Sequence, residues 1–443
     1  MQAWFAKYPR FVMHFTPTSA SWLNMVERLF RDISESRIKR DSFTNAAELE
    51  LAIDLYWRVE GGNSACFGAG PTLRPPMNHS STPPSIRRRT ATFAIGLGTA
   101  AFLFGCASSD PNAMAKTGTM YTADGDMQMV LDSLTSLGGK PIETLSAAEA
   151  RMQPTVTDAV KAVLTKLGKS TDPAVLVPGV TSADREIPGA AGPLPVRIYT
   201  PKTAGPFPVI VYFHGGGWVI ADKDVYDGGA RGLSQAANAI VVSVDYRRAP
   251  EAKFPAAWND SLAAYRWVTA NAGSLNGAQK FALAGESAGG NLAVATAVAA
   301  RDAGLPKPSA ILAVYPVGQS GDMNTPSYVD SATAKPLNKA MIGWFVDKLL
   351  ARPEDAMDPR LDIVHADLKG LPPTLIINAE IDPLRSDGEM LAAALSSAGV
   401  GVERKVYRGV THEFFGTAAV VAKAREAQAL AGVQMKKAFA ATP

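Results

Sequence analysis

The sequence predicts an α/β fold: a mostly parallel sheet with helices on both faces and a helical cap over one edge. Three observations predict it. From about residue 193, short β-branched and aromatic runs alternate with helical stretches. The run "AIVVSVDY" at 239–246 is apolar almost throughout, as a strand covered on both faces must be. The chain has 443 residues, 47% hydrophobic and 19% charged, which is ample material for a large core.

The elements follow in order. "PLPVRIYTP" and "FPVIVYFHGGGW" read as strands bounded by Gly and Pro. "DSLAAYRWVTANAG" at 260–273 reads as a helix ending in glycine. "KFALAGES" is a strand, "NLAVATAVAARDAG" a helix and "SAILAVYP" a strand. "TLIINAEID" at 374–382 is a strand, "SDGEMLAAALSSAG" a helix and "VERKVYRG" the last strand. The stretch 318–370 breaks this rhythm with Gly, Pro and a helix around "NKAMIGWFVDKLLA". A helix with Val160, Val163, Leu164 and Leu167 on one face lies upstream. Together, segments of about 141–175 and 318–370 supply the cap of a domain spanning 141–443.

The residues before that domain are unlike it. Residues 61–86 are Pro- and Gly-rich and aperiodic, a linker leading into Arg87-Arg88-Arg89 and "TATFAIGLGTAAFLFGC". A basic patch, an apolar run and a terminal cysteine at 87–106 have the order of a secretion signal, and the run is short of the roughly twenty residues of a membrane span. Its end resembles a bacterial lipobox, making Cys106 the lipidation candidate. A signal belongs at a chain start, and translation from Met77 would put it there. Started at Met77 the protein is expected on the cell envelope, its only membrane contact a lipid anchor; started at Met1 it is expected in the cytoplasm or mis-targeted. Residues 107–140 are small and polar and read as a tether. Residues 1–60, with "HFTPTSASWLNMVERLFRDISESRIKRDSFTNAAELELAIDLYW", resemble the C-terminal end of mariner-like insertion-sequence transposases. Glu27 matches one metal-binding carboxylate of that class, but paired metal ions need more than one, so the segment reads as a remnant.

The net charge of +3 gives no reason to expect a nucleic-acid partner. Cys66 and Cys106 are the two cysteines and cannot build a disulfide framework or a thiolate metal site. The five histidines are His14, His79, His214, His365 and His412, so any imidazole base is one of them.

"GESAGGN" at 285–291 puts Ser287 between two glycines, with a strand before and a helix after. Such a sharp turn needs small residues at 285 and 289, exposes the Ser287 hydroxyl and aims backbone N–H groups at the same point. Ser287 is therefore the candidate nucleophile rather than an ordinary turn residue. An acid and then a histidine should follow in the chain. Asp382 ends an apolar strand at the same sheet edge, and His412 follows the last strand in "RGVTHEFF". The histidine would accept and return the hydroxyl proton while the aspartate fixes its tautomer. His365 competes for the base but has no strand to place it; Glu380 and Asp387 compete for the acid, Asp387 also fitting a helix cap. "HGGGW" at 214–218 supplies oxyanion donors: Gly215 and Gly216, with the N–H of Ala288. His214 is expected to orient this loop.

"HGGGW", "DYRRAPEAKFPAAWND", "GESAGGN", "YP" at 315–316, "AEIDPLRSDG" and "GVTHEFF" resemble the hormone-sensitive-lipase-like (bacterial family IV) α/β-hydrolases, mostly carboxylesterases. The likeness runs from about 140 to 440. It implies an α/β-hydrolase fold and a serine carboxylesterase acting on short to medium acyl esters through an acyl-enzyme. It also implies no metal and no cofactor, with a small-molecule ester as partner and a homodimer as the one protein assembly entertained. Glu286 departs from the family, in which many members carry Asp before the nucleophile. An amidase or lactonase would use the same triad, and a non-catalytic small-molecule receptor on this fold would lose the histidine that is retained here.

Overall fold

A computed structural model describes residues 121–441. The transposase-like segment, the signal, Cys106 and the first part of the expected tether lie outside these residues.

Eight strands form one sheet in the order β1-β2-β4-β3-β5-β6-β7-β8. They are β1 (Val180–Gly189), β2 (Gly192–Pro201), β3 (Phe207–Phe213), β4 (Ile240–Val244), β5 (Gly277–Glu286), β6 (Ile311–Val314), β7 (Thr374–Ile381) and β8 (Val402–Thr411). β1 pairs antiparallel with β2, and β2 antiparallel with β4. Every pairing from β4 onward through β3, β5, β6, β7 and β8 is parallel. The helices are α1 (Gly125–Ser136), α2 (Ala147–Ala150), α3 (Val156–Lys166), α4 (Pro173–Leu176), α5 (Asp227–Ala237), α6 (Ala256–Asn271), α7 (Ala288–Asp302), α8 (Pro326–Asp330), α9 (Lys339–Leu349), α10 (Arg385–Ser397) and α11 (Ala422–Ala441).

The period of two along β3 divides the core into two layers. Val209, Val211 and Phe213 face one layer with Trp258 of α6, Leu292 of α7 and Leu391 of α10. Ile210 and Tyr212 face the other with Met127 of α1, Val160 of α3, Leu233 of α5 and Met435 of α11. Both faces of the sheet are therefore covered, which is why its central strands carry almost no polar residues.

Three expectations change. Residues 125–136 are not a tether. Met127 and Val130 are fully buried, and the helix they belong to packs on the second layer. Just ahead of it, the Asp124 N–H donates to the Gly409 carbonyl at 2.8 Å, and Lys423 pairs with the Asp124 carboxylate. The expected cap also divides. Residues 142–151 meet α9, where the Trp344 indole N–H donates to the Leu145 carbonyl at 3.0 Å. α3 instead joins the second layer through Val156, Ala159, Val160 and Leu164. Finally, α6 does not end at a glycine in a left-handed bend: a 3-10 turn, Ala272–Leu275, continues it and Asn276 takes the left-handed position at φ 59°.

The segment 318–370 is packed into the first layer by Tyr328, Leu337, Ile342, Leu361 and Ile363. Arg151 ties the 142–151 stretch to the body: its guanidinium donates to the carbonyls of Val219 and Ala249 and grips the Glu251 carboxylate with two nitrogens.

Candidate active site

β5 lies between β3 and β6 near the middle of the sheet, and the chain turns sharply at its end. Ser287 sits there at φ 57°, ψ −119°, a conformation that a residue with a β-carbon rarely adopts. Two contacts hold it: its N–H donates to the Val314 carbonyl of β6 at 2.8 Å, and its carbonyl accepts from the Gly290 N–H at 2.9 Å. The flanking glycines are required by close approach. A β-carbon on Gly285 would lie 2.1 Å from the Gly289 carbonyl oxygen, and one on Gly289 would lie 2.0 Å from that of Phe213. The second contact presses the nucleophile turn against the start of the "HGGGW" loop.

The parallel order puts the ends of β5, β7 and β8 at one edge, and that edge assembles the other candidates. His412 Nε2 lies 2.9 Å from Ser287 Oγ, and His412 Nδ1 lies 2.8 Å from Asp382 Oδ2. The other oxygen of Asp382 accepts the Leu384 N–H at 2.8 Å, so the carboxylate is fixed from two sides. Ser287, His412 and Asp382 are 5%, 3% and 0% exposed. Burial disfavours the imidazolium, but the Asp382 carboxylate, with Glu413 and Glu286 behind it, outweighs that and lifts the His412 pKa above its ordinary value.

Ala288 opens α7, where the first N–H groups have no intrahelical acceptor. Gly215 and Gly216 follow β3 with His214 between. Gly216 has φ 92°, and its carbonyl is engaged by the N–H groups of Val219 and Ile220, which curls the loop back on itself. His214 is wholly buried, stacked on Tyr246 with ring centroids 4.2 Å apart, and its Nδ1 lies 2.8 Å from the Gly215 carbonyl. The Tyr246 hydroxyl donates to the His214 carbonyl at 2.8 Å. The loop is thus held from both the side chain and the backbone of residue 214.

The competitors go elsewhere. His365 pairs with Asp362 at 2.8 Å, and its side chain is 74% exposed. Glu380 accepts the Gly409 N–H at 2.9 Å. Asp387 is buried, yet it does not cap its helix; it accepts the Gly318 N–H at 3.0 Å and burial raises its pKa. A cavity of about 640 Å³ beside α3, α5 and α11, lined by Leu164, Arg231 and Gln428 among others, contains no member of the triad.

The sequence reading missed a polar cluster behind the imidazole. Glu286 is buried, accepts from the hydroxyls of both Tyr212 and Tyr315, and has its pKa pushed up to about 7 by burial against the pull of those two bonds. The Tyr315 ring lies 4.5 Å from His412, and Glu413 accepts from the Tyr226 hydroxyl at 3.0 Å. The pattern held one signal for it: an acidic residue directly before the nucleophile, at the end of an otherwise apolar strand. Among the described residues, no cluster of His, Cys, Asp and Glu could hold a metal ion.

A family profile described as "alpha/beta hydrolase fold" matches residues 210–416. The chain is 39% identical over 293 residues to carboxylesterase NlhH of Mycobacterium tuberculosis, covering 64% of this chain and 91% of that one. It is 33% identical over 295 residues to an ethyl acetate hydrolase of Pseudomonas putida, covering 65% and 88%. The solved hyperthermophilic esterase of Pyrobaculum calidifontis superposes with a TM-score of 0.64 at 33% identity, covering 72% of this chain and 99% of that one. With these relatives and this fold, the chain belongs to the α/β-hydrolase family and is a serine carboxylesterase.

Proposed function

We propose that Ser287, His412 and Asp382 carry the hydrolysis, with Gly215, Gly216 and Ala288 as oxyanion donors. One observation carries the assignment: the unbroken run from Asp382 through His412 to Ser287, with contacts of 2.8 and 2.9 Å. Ser287 Oγ attacks the ester carbonyl carbon while His412 Nε2 takes its proton, and the carbonyl oxygen becomes an oxyanion facing the three N–H groups. The intermediate collapses, the C–O bond to the alcohol breaks, and His412 returns the proton to that alcohol. Water then attacks the acyl-enzyme, losing its proton to His412, which passes it back to Ser287 Oγ as the acid leaves.

The substrates are esters of short to medium acyl chains. The nucleophile's small exposure supports this, as does Phe345 of α9, whose ring would lie 2.3 Å from a β-carbon on Gly217 beside the oxyanion loop. An ethyl acetate hydrolase among the relatives points the same way. With p-nitrophenyl esters of increasing length, activity should peak at about C2 to C8 and fall beyond about C10. Highest turnover on long-chain triglyceride emulsions would overturn the reading.

The motifs from "HGGGW" to "GVTHEFF" support placement in the hormone-sensitive-lipase-like branch of the family. Residues 87–106 support a lipoprotein anchored through Cys106 when translation starts at Met77, with residues 1–60 a transposase-like remnant. A diacylglyceryl group found on Cys106 by mass spectrometry of native protein supports the anchor. A peptide containing "SASWLNMVER" in soluble protein refutes it.

A further inference from the structure

The residue after His412 is Glu413, at φ 63°, ψ 11°, in the left-handed region that disfavours any residue with a β-carbon. It opens the 3-10 turn Phe414–Thr417 that leads to α11. A glycine would adopt this bend at less cost, so the side chain must return something. It is half-buried, and its Oε1 accepts from the hydroxyl of buried Tyr226 at 3.0 Å. That same hydroxyl would stand 2.3 Å from a β-carbon on Gly215. A single tyrosine therefore touches both the histidine turn and the oxyanion loop.

The titratable groups around His412 come from five places. Asp382 follows β7 and bonds Nδ1; Glu286 ends β5; Tyr315 follows β6 and lays its ring on the imidazole. Tyr226 precedes α5 and reaches the turn through Glu413, which stands next in the chain to His412. Three carboxyl groups thus surround one imidazole, and only Asp382 is bonded to it.

We propose that Glu413 is a positioning residue for ester hydrolysis: with Tyr226 it fixes the histidine turn against the oxyanion loop, and its carboxylate stabilises the imidazolium formed when His412 takes the Ser287 proton. This rests on the triad assignment above. A charge acting across a buried space needs no direct bond, because little solvent screens it. The raised pKa of His412, to which Glu413 contributes, accords with this. So does the Glu413–Tyr226 bond, which holds the carboxylate at one distance from the ring.

The test is the pH dependence of kcat/KM for p-nitrophenyl acetate in the full chain. Glu413→Gln keeps an acceptor for Tyr226 and removes the charge; Glu413→Gly removes both and suits the left-handed bend, so it should fold. Both should move the acid limb down by about 0.5 to 1 unit and lower kcat about three- to tenfold, with KM little changed. Glu413→Asp should restore part of the limb's position. Ser287→Ala and His412→Ala serve as controls. A Glu413→Gln profile superimposable on that of the unaltered enzyme, with both controls inactive, overturns the proposal and leaves the triad standing. Activity surviving in either control sinks the triad assignment and this proposal with it.

Discussion

Gly289→Ala tests how closely the nucleophile turn and the oxyanion loop are built on one another. The added β-carbon would lie 2.0 Å from the Phe213 carbonyl oxygen and 2.6 Å from that of His214. Both atoms are backbone, so no side chain can swing away. Recovering an ordinary contact requires the end of β3 and the start of α7 to part by at least about 1 Å. The end of β3 leads into Gly215 and Gly216, so the displacement falls on the oxyanion donors. Losing alignment of one such donor costs about 10²- to 10³-fold in kcat, and overpacking of this kind costs about 1–3 kcal/mol in stability. Gly273→Ala is the matched control. Nothing lies within 4 Å of its β-carbon and its φ is not left-handed, so it should be neutral or stabilising by a few tenths of a kcal/mol. The measurement is kcat on p-nitrophenyl acetate alongside the melting temperature. A Gly289→Ala enzyme with kcat within about threefold of normal would refute the reasoning, because a 1 Å misplacement should be costly.

Asp382→Asn should lower kcat by about 10³- to 10⁴-fold through the wrong imidazole tautomer, while His365→Ala leaves kcat unchanged; steady-state kinetics on both variants checks the pair. For pH, His412 must be neutral to act as base, so kcat/KM falls with decreasing pH through a value above the ordinary 6.5. The stability contribution has the opposite sign: a raised imidazole pKa stabilises fully below about 6.5 and fades as pH rises through the folded value. Glu286 adds to this, since a carboxyl lifted from 4.5 to about 7 also favours the folded state less as pH rises across that window. Glu286→Gln should therefore flatten the fall of melting temperature between those pH values, read by calorimetry. Arg151→Ala leaves the carbonyls of Val219 and Ala249 without their donor and should cost about 1–3 kcal/mol, seen in thermal melts. Arg151→Lys should not recover it, because a single ammonium cannot reproduce the guanidinium fork.

The triad was legible because each member sits where a strong pattern ends. Ser287 follows an apolar strand inside a glycine pair, Asp382 closes "TLIINAEI", and His412 follows the last strand. Strand ends at one edge of a parallel sheet are brought together by topology, so locating the strands nearly located the site. Elements whose stability comes from few residues were not legible. β1 exposes most of its length at the sheet's edge and has no apolar alternation to betray it. α1 carries a helical signal, Met127, Val130, Leu131 and Leu134 at i, i+3, i+4 and i+7, but it is a single short stripe set in the polar, small-residue run of 107–140 and reads with that run as a tether. α5, "DGGARGLSQAA", carries three glycines that argue against a helix, yet close packing demands them: a β-carbon on Gly229 would lie 2.0 Å from a Glu286 carboxylate oxygen. The cluster of Glu286, Tyr212, Tyr226, Tyr315 and Glu413 draws on distant parts of the chain, and no periodicity links them.

The hydrogen bond from Asp124 to Gly409 decides where the chain can be cut. β8 is an edge strand held by one neighbour, and three residues beyond Gly409 it delivers His412. Asp124 fastens that end: its N–H takes the Gly409 carbonyl, and its carboxylate engages Lys423 at the start of α11. Asp126 reinforces the join by accepting the Ala422 N–H at 2.7 Å. The histidine is therefore anchored by residues nearly three hundred positions upstream, ahead of the point where the recognisable catalytic domain begins. A chain shortened to begin at 107 keeps this fastening, whereas one begun at 141 keeps every catalytic residue and loses the clip that steadies its base.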